Sequence, residues 1–250
     1  MKKAILCLIT IGIVLFITAC GSQVEQPLDI IENESISSEN DTVSIDGDED
    51  VYAGILDEAY NIIASSSNCV SKEGTVGIVE SIFGRSISEN LNSIGYAKID
   101  IDNNGVKELI IADAGRILAT YTVSNDKPVL VFEGWNRNHY FILDDGTIFN
   151  TGSNGATYGV FGYYRVSENG TELEPIDIYF SDYCDDEMTK ICWYHKISDN
   201  YLKEDNECLG PENKETYDEI YFSTGEDEDR KEIRFDLISF ADYEKEKAIK

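Results

Sequence analysis

The chain has 250 residues, of which 48 are Asp or Glu and 20 are Lys or Arg, for a formal net charge of -28. A surface so acidic repels nucleic-acid phosphates and anionic lipid headgroups, so nucleic-acid binding and charge-driven membrane binding are excluded. The length suffices for one domain with a sizeable core, or two small ones.

At the N-terminus Lys2 and Lys3 precede an apolar run from Ala4 to Phe16, followed by Ile17-Thr18-Ala19-Cys20. A basic start, a short apolar stretch and small residues before a cleavage point define a secretory signal. Ile17–Cys20 resembles the lipobox of bacterial lipoproteins. That resemblance implies cleavage of residues 1–19, acylation of Cys20 and attachment to the extracellular face of the cell membrane by acyl chains. Cleavage removes Lys2 and Lys3 and leaves a charge of -30. Residues 20–50 then read as a disordered acidic tether, because a polar, charged stretch without apolar period cannot offset the entropy of ordering. Residues 51–250 read as one extracellular domain.

Within it, Val51, Ile55, Leu56, Ala59, Ile62 and Ile63 have the spacing of one helical face. A second helix is expected over Val76–Phe83, ended by Gly84, and a short third over Ser88–Ser93. From Tyr96 the pattern turns to strands: Tyr96–Ile101, Lys107–Ala112, Ile117–Val123, Val129–Glu133, His139–Leu143, Thr147–Asn150, Thr157–Val166, Ile176–Phe180 and Lys190–Ile197. Turn residues at short spacing between them, such as Asp144-Asp145-Gly146 and Glu168-Asn169-Gly170, indicate an antiparallel meander rather than βαβ units. A further strand is expected at Glu219–Ser223, then an acidic loop at Gly225–Asp229. Ile233–Phe240 is open between strand and helix, and the Lys-Glu tail reads as frayed helix. The fold class is α+β: an N-terminal helical element packed on a mainly antiparallel sheet.

Between the first two strands lies Asp100-Ile101-Asp102-Asn103-Asn104-Gly105-Val106-Lys107-Glu108-Leu109. Calcium takes six to eight oxygen ligands from a compact, sharply turning loop. Counted from Asp100, the carboxylates of Asp100 and Asp102 and the amide oxygen of Asn104 fall at positions one, three and five. Gly105 falls where the turn needs positive φ. The Val106 carbonyl fills position seven, and Glu108 contributes at position nine, directly or through water. The stretch resembles an EF-hand loop, but position twelve is Ile111 and its flanks are strand-like. It is more similar to the calcium loops of the FG-GAP or VCBS kind, D-x-D-x-[DN]-G-x-x-[DE]-L between two strands, here in one copy. The resemblance implies a structural Ca2+; with only three carboxylates and no clamp at position twelve it is expected to be held weakly, at ~10⁻⁴ M, as in extracellular modules. An ion-free turn is the competing reading, since Asp, Asn and Gly are turn residues in any case.

Cys69, Cys184, Cys192 and Cys208 remain after Cys7 and Cys20 are set aside. Cys184 and Cys192 are close enough to close a hairpin, and pairing of Cys69 with one of the other three is equally open. No C-x-x-C pair supports zinc.

Only two histidines exist, His139 and His195, and the chain lacks a nucleophile elbow, an H-E-x-x-H motif and a phosphate-binding loop. No residue is assigned to catalysis. Fifteen Tyr, ten Phe and two Trp offer instead a stacking face for sugars or peptides, with Trp135, Tyr158, Tyr164 and Trp193 as its candidate residues. Alternation puts Phe161 and Tyr163 on one face of their strand and Tyr158 and Tyr164 on the other.

From lipobox to Leu143-Asp144-Asp145-Gly146-Thr147-Ile148-Phe149, the plan resembles surface lipoproteins of Gram-positive bacteria, a group that lends no activity. The expectation is a lipid-anchored, calcium-stabilised binding or interaction module with a carbohydrate or protein ligand. The alternatives are a surface hydrolase acting on envelope or extracellular polymers, and an inhibitor-type lipoprotein engaging a basic partner.

Overall fold

The computed structural model describes residues 50–65, 71–153, 155, 157–225 and 231–247. The expected signal segment, Cys20 and the expected tether up to residue 49, together with Cys69 and residues 226–229, lie outside the described residues. All described residues belong to one compact unit, Gly47–Lys250.

Three helices come first: α1 (Ala53–Ser65), α2 (Val76–Ile82) and α3 (Ile87–Ser93). Leu56, Ala59 and Ile63 form the buried stripe of α1, at the spacing one helical face requires. Ser86 and Glu89 close a capping box on α3, each side chain bonded to the other's backbone N–H.

The strands follow: β1 (Ile94–Ile99), β2 (Glu108–Asp113), β3 (Arg116–Ser124), β4 (Lys127–Glu133), β5 (Asn138–Ile142), β6 (Ile148–Ser153), β7 (Gly159–Val166), β8 (Leu173–Tyr183), β9 (Ile191–His195) and β10 (Glu207–Pro211). Then come α4 (Lys214–Gly225), β11 (Ile238–Ser239) and α5 (Phe240–Lys247). All pairings are antiparallel. The α+β class is therefore observed, with the strands divided between two sheets, ordered β11-β1-β2-β3-β4 and β10-β9-β8-β7-β6-β5.

β2 shows why these layers stack. Its run Leu109-Ile110-Ile111-Ala112 is fully buried, as a strand covered on both faces must be. Leu109 and Ile111 pack under the helices with Leu56, Ile63, Ile78 and Phe240. Ile110 and Ala112 point the other way, against Ile142, Ile148 and Val166 of the second sheet. Each such side chain contributes about 1.5–3 kcal/mol. The outer face of the second sheet carries Phe161 and Trp193, covered by Tyr217 and Ile220 of α4.

One expectation is corrected here. Glu219–Ser223 is helical, not a strand: Asn213 caps α4 by accepting from Thr216 N–H at 2.9 Å, and Tyr217 and Ile220 fall on one helical face. β10 has no counterpart in the sequence reading, because it is an exposed edge strand bearing Gly210 and Pro211.

Candidate functional site

The β1–β2 hairpin is closed by residues 100–107, with Ile99 opposite Glu108 at its base. The loop curls on its own side chains. Asp100 accepts from the N–H groups of Asn104 (3.1 Å) and Gly105 (3.0 Å). Asp102 accepts from the backbone N–H of Asn104 (3.2 Å) and from its side-chain amide (2.8 Å). Asn103 and Gly105 adopt φ of 59° and 88°, left-handed values that Asn and Gly tolerate best.

Carboxylate oxygens of Asp100, Asp102 and Glu108 converge within 4.8 Å of one another. The other two expected ligands are placed less directly. Asn104 Oδ1 already accepts from Val106 N–H at 2.7 Å, so only its second lone pair is free for an ion. That same bond fixes the Val106 backbone against the loop.

Glu108, expected at position nine, is the most deeply placed of the three. It begins β2 pointing inward and is 0% exposed. Its Oε2 accepts from Ile101 N–H at 2.8 Å and its Oε1 from the Thr122 hydroxyl at 3.1 Å. Burial pushes its pKa above the ordinary glutamate value and the Asp102 charge adds to that; the two hydrogen bonds pull the other way without cancelling it. The cluster therefore favours a proton or a cation, and its donor set, all oxygen, suits a hard cation.

The loop also touches the second sheet. Gly146, in the β5–β6 turn, lies so close that a Cβ there would stand 2.8 Å from the Ile101 carbonyl oxygen. A Cβ on Gly170, in the β7–β8 turn, would stand 3.8 Å from Asn104 Nδ2. Beside this junction opens a cleft of about 620 Å³, lined among others by Asp102, Asn104, Arg165, Glu168, Glu172 and Glu174.

The four candidate stacking residues do not form one platform. Trp193 is 4% exposed, packed edge-on against Phe161 beneath α4. Tyr164 turns into the core between the sheets. Trp135 and Tyr158 are 38% and 43% exposed, Trp135 beside the start of β5 and Tyr158 edge-on to Tyr183. Tyr164 keeps the face opposite Phe161 that alternation gives it, but that face packs against the first sheet, and α4 covers Trp193 on the other; which faces are covered is not revealed by strand alternation.

Cys184 and Cys192 are joined in a disulfide with Cα atoms 5.5 Å apart, and Cys208 is a free, exposed thiol. Asp145 accepts from Thr147 N–H, and Asp185 from the N–H groups of Thr189 and Lys190; both carboxylates serve turns. His139 on β5 and His195 on β9 have three strands between them, about 19 Å at normal strand spacing.

No protein-family model, curated protein or solved structure matches this chain. What the architecture defines is an α+β domain with an acidic triad at the junction of its two sheets.

Proposed function

We propose that this chain is a lipid-anchored module of the bacterial cell surface, stabilised by calcium, that acts by binding or interaction. The observation that carries the reading is the acidic triad. Three carboxylates from one hairpin converge within 4.8 Å, and one of them is fully buried. A carboxylate withdrawn from water among like charges is costly unless protonated or paired with a cation. The all-oxygen donor set and the Gly105 turn favour calcium. At millimolar calcium outside a cell, even a site near ~10⁻⁴ M fills.

The anchor rests on Lys2, Lys3, the apolar run and Ile17–Cys20. A module is favoured over the surface hydrolase because His139 and His195 stand three strands apart and share no pocket among the described residues.

The test is made on the full chain expressed in a Gram-positive host. A clickable palmitate analogue should label the parent and not Cys20→Ser. Equilibrium dialysis should give saturable calcium binding that Asp100→Ala/Asp102→Ala loses. Labelling independent of Cys20 would remove the anchor, and calcium uptake unchanged in the double variant would remove the ion site.

A further inference from the structure

A second polar constellation stands on the outer face of the second sheet. His195, at the end of β9, is the register partner of Tyr179 on β8 and of Glu207 on β10. Asp177 precedes Tyr179 by two residues and shares its face. The His195 ring lies flat on Tyr179, centroids 4.8 Å apart and planes at 12°. Its Nε2 is 2.7 Å from Asp177 Oδ1, and the Tyr179 hydroxyl donates to Asp177 Oδ2 at 3.1 Å. The side chains of His195, Asp177 and Glu207 are 30%, 33% and 60% exposed.

An ionised carboxylate only accepts hydrogen bonds, so Nε2 carries the hydrogen toward Asp177. The other ring nitrogen, Nδ1, faces the Oε2 of Glu207 at 3.7 Å. The gap is too long for an N–H···O hydrogen bond, whose distances cluster near ~2.9 Å. It is close to the span of two donors on one zinc ion. Legs of about 2.0–2.2 Å place imidazole and carboxylate atoms roughly 3.4–3.6 Å apart between tetrahedral and trigonal angles. A small rotation of the exposed Glu207 side chain closes the difference.

The geometry points to a divalent transition-metal seat, of the zinc class, with His195 Nδ1 and Glu207 Oε2 as ligands. Asp177 fixes the tautomer, the carboxylate–histidine–metal arrangement common behind zinc ligands, and Tyr179 fixes the ring plane. Two protein ligands leave positions for water or an incoming donor, so the ion is exchangeable rather than enclosed. A nitrogen ligand selects zinc, nickel or copper over calcium, which separates this seat chemically from the Asp100–Glu108 loop. Occupancy would also clamp edge strand β10 to β9. The neighbouring thiol of Cys208 pairs with Tyr194 in the ladder and so projects from the opposite face.

The experiment titrates Zn2+ into the full chain against a chromophoric chelator, with millimolar Ca2+ present to saturate the loop. His195→Gln and Glu207→Gln should each weaken zinc binding at least tenfold, and Asp177→Asn by about tenfold. Cys208→Ser should leave it unchanged. In the parent, zinc should shift the 15N resonance of His195 Nδ1, a signature that needs no variant to fold. An unmoved His195 resonance, or parent-like zinc binding by His195→Gln, would overturn the assignment.

Discussion

The Thr122 hydroxyl donates to the Glu108 carboxylate at 3.1 Å in a place where neither side chain reaches solvent. Adjacent strands thus hold a carboxyl group beneath a loop that brings two more carboxylates within 4.8 Å. The stability of β2 and the ionic state of the loop are coupled through that one side chain.

Replacing Glu108 exposes the coupling. Burial raises its folded pKa above the ordinary 4.5, so the folded state holds the proton more tightly than the unfolded chain. In metal-free protein its contribution therefore declines as pH rises from below 4.5 through the raised folded value. Glu108→Gln should be more stable than the parent in chelator at neutral pH, by roughly 1–2 kcal/mol. The difference should vanish below pH 4 and reverse in calcium, as chemical denaturation at several pH values would read. A parent that is the more stable in chelator at neutral pH would contradict it.

Asp113 behaves in the opposite sense. Burial alone would raise its carboxyl, but bonds from Ser93, Ser81 and Arg85 outweigh that and hold it below its ordinary 3.8. It ties the helices to the end of β2, accepting from Ser81 at 2.8 Å and Arg85 at 2.7 Å. Asp113→Ala should cost about 2–3 kcal/mol at neutral pH. That stabilisation is fully present above the ordinary value and is lost as pH falls through the depressed folded value. Urea midpoints of the two proteins should therefore converge on acidification; a gap that widens below pH 4 would refute the assignment.

Two glycines should respond with opposite signs. A Cβ on Gly77 would stand 2.1 Å from the Gly134 carbonyl oxygen and 3.1 Å from that of Leu118. Both are backbone atoms, so Gly77→Ala must lift α2 off the first sheet, costing about 1–3 kcal/mol. Gly54, in the first turn of α1, meets nothing within 4 Å, so Gly54→Ala should stabilise by about 0.5–1 kcal/mol. Melting temperatures of the pair would settle both, and equal effects would contradict the packing described.

Hydrophobic period reveals faces, and so β1 to β9 were legible in the sequence to within a few residues. It does not reveal which strands share a sheet, and the division into two sheets depends on a shared core, with Ile110 of one sheet and Ile148 of the other, that no local pattern encodes. The segment beginning at Glu219 reads as a strand through its apolar and aromatic cluster. The helix there is set by Asn213, six residues earlier, and by the sheet face that Tyr217 and Ile220 cover. The Asp100–Glu108 loop was visible because its residues are contiguous. The depth of Glu108 was not, because it depends on Thr122, fourteen residues away. The group of Asp177, His195 and Glu207 was invisible for the same reason, being assembled by register across three strands.

We have proposed that the Asp100–Glu108 loop holds calcium and that the fold depends on it. The most direct measurement is thermal unfolding of the full chain in millimolar calcium, in magnesium and in chelator, beside Asp100→Ala/Asp102→Ala. Tm should rise in calcium alone and not in the double variant, reaching about 2.7 kcal/mol of stabilisation at a hundredfold excess over Kd. A parent whose Tm is the same in all three, or a double variant that keeps the calcium response, would contradict it.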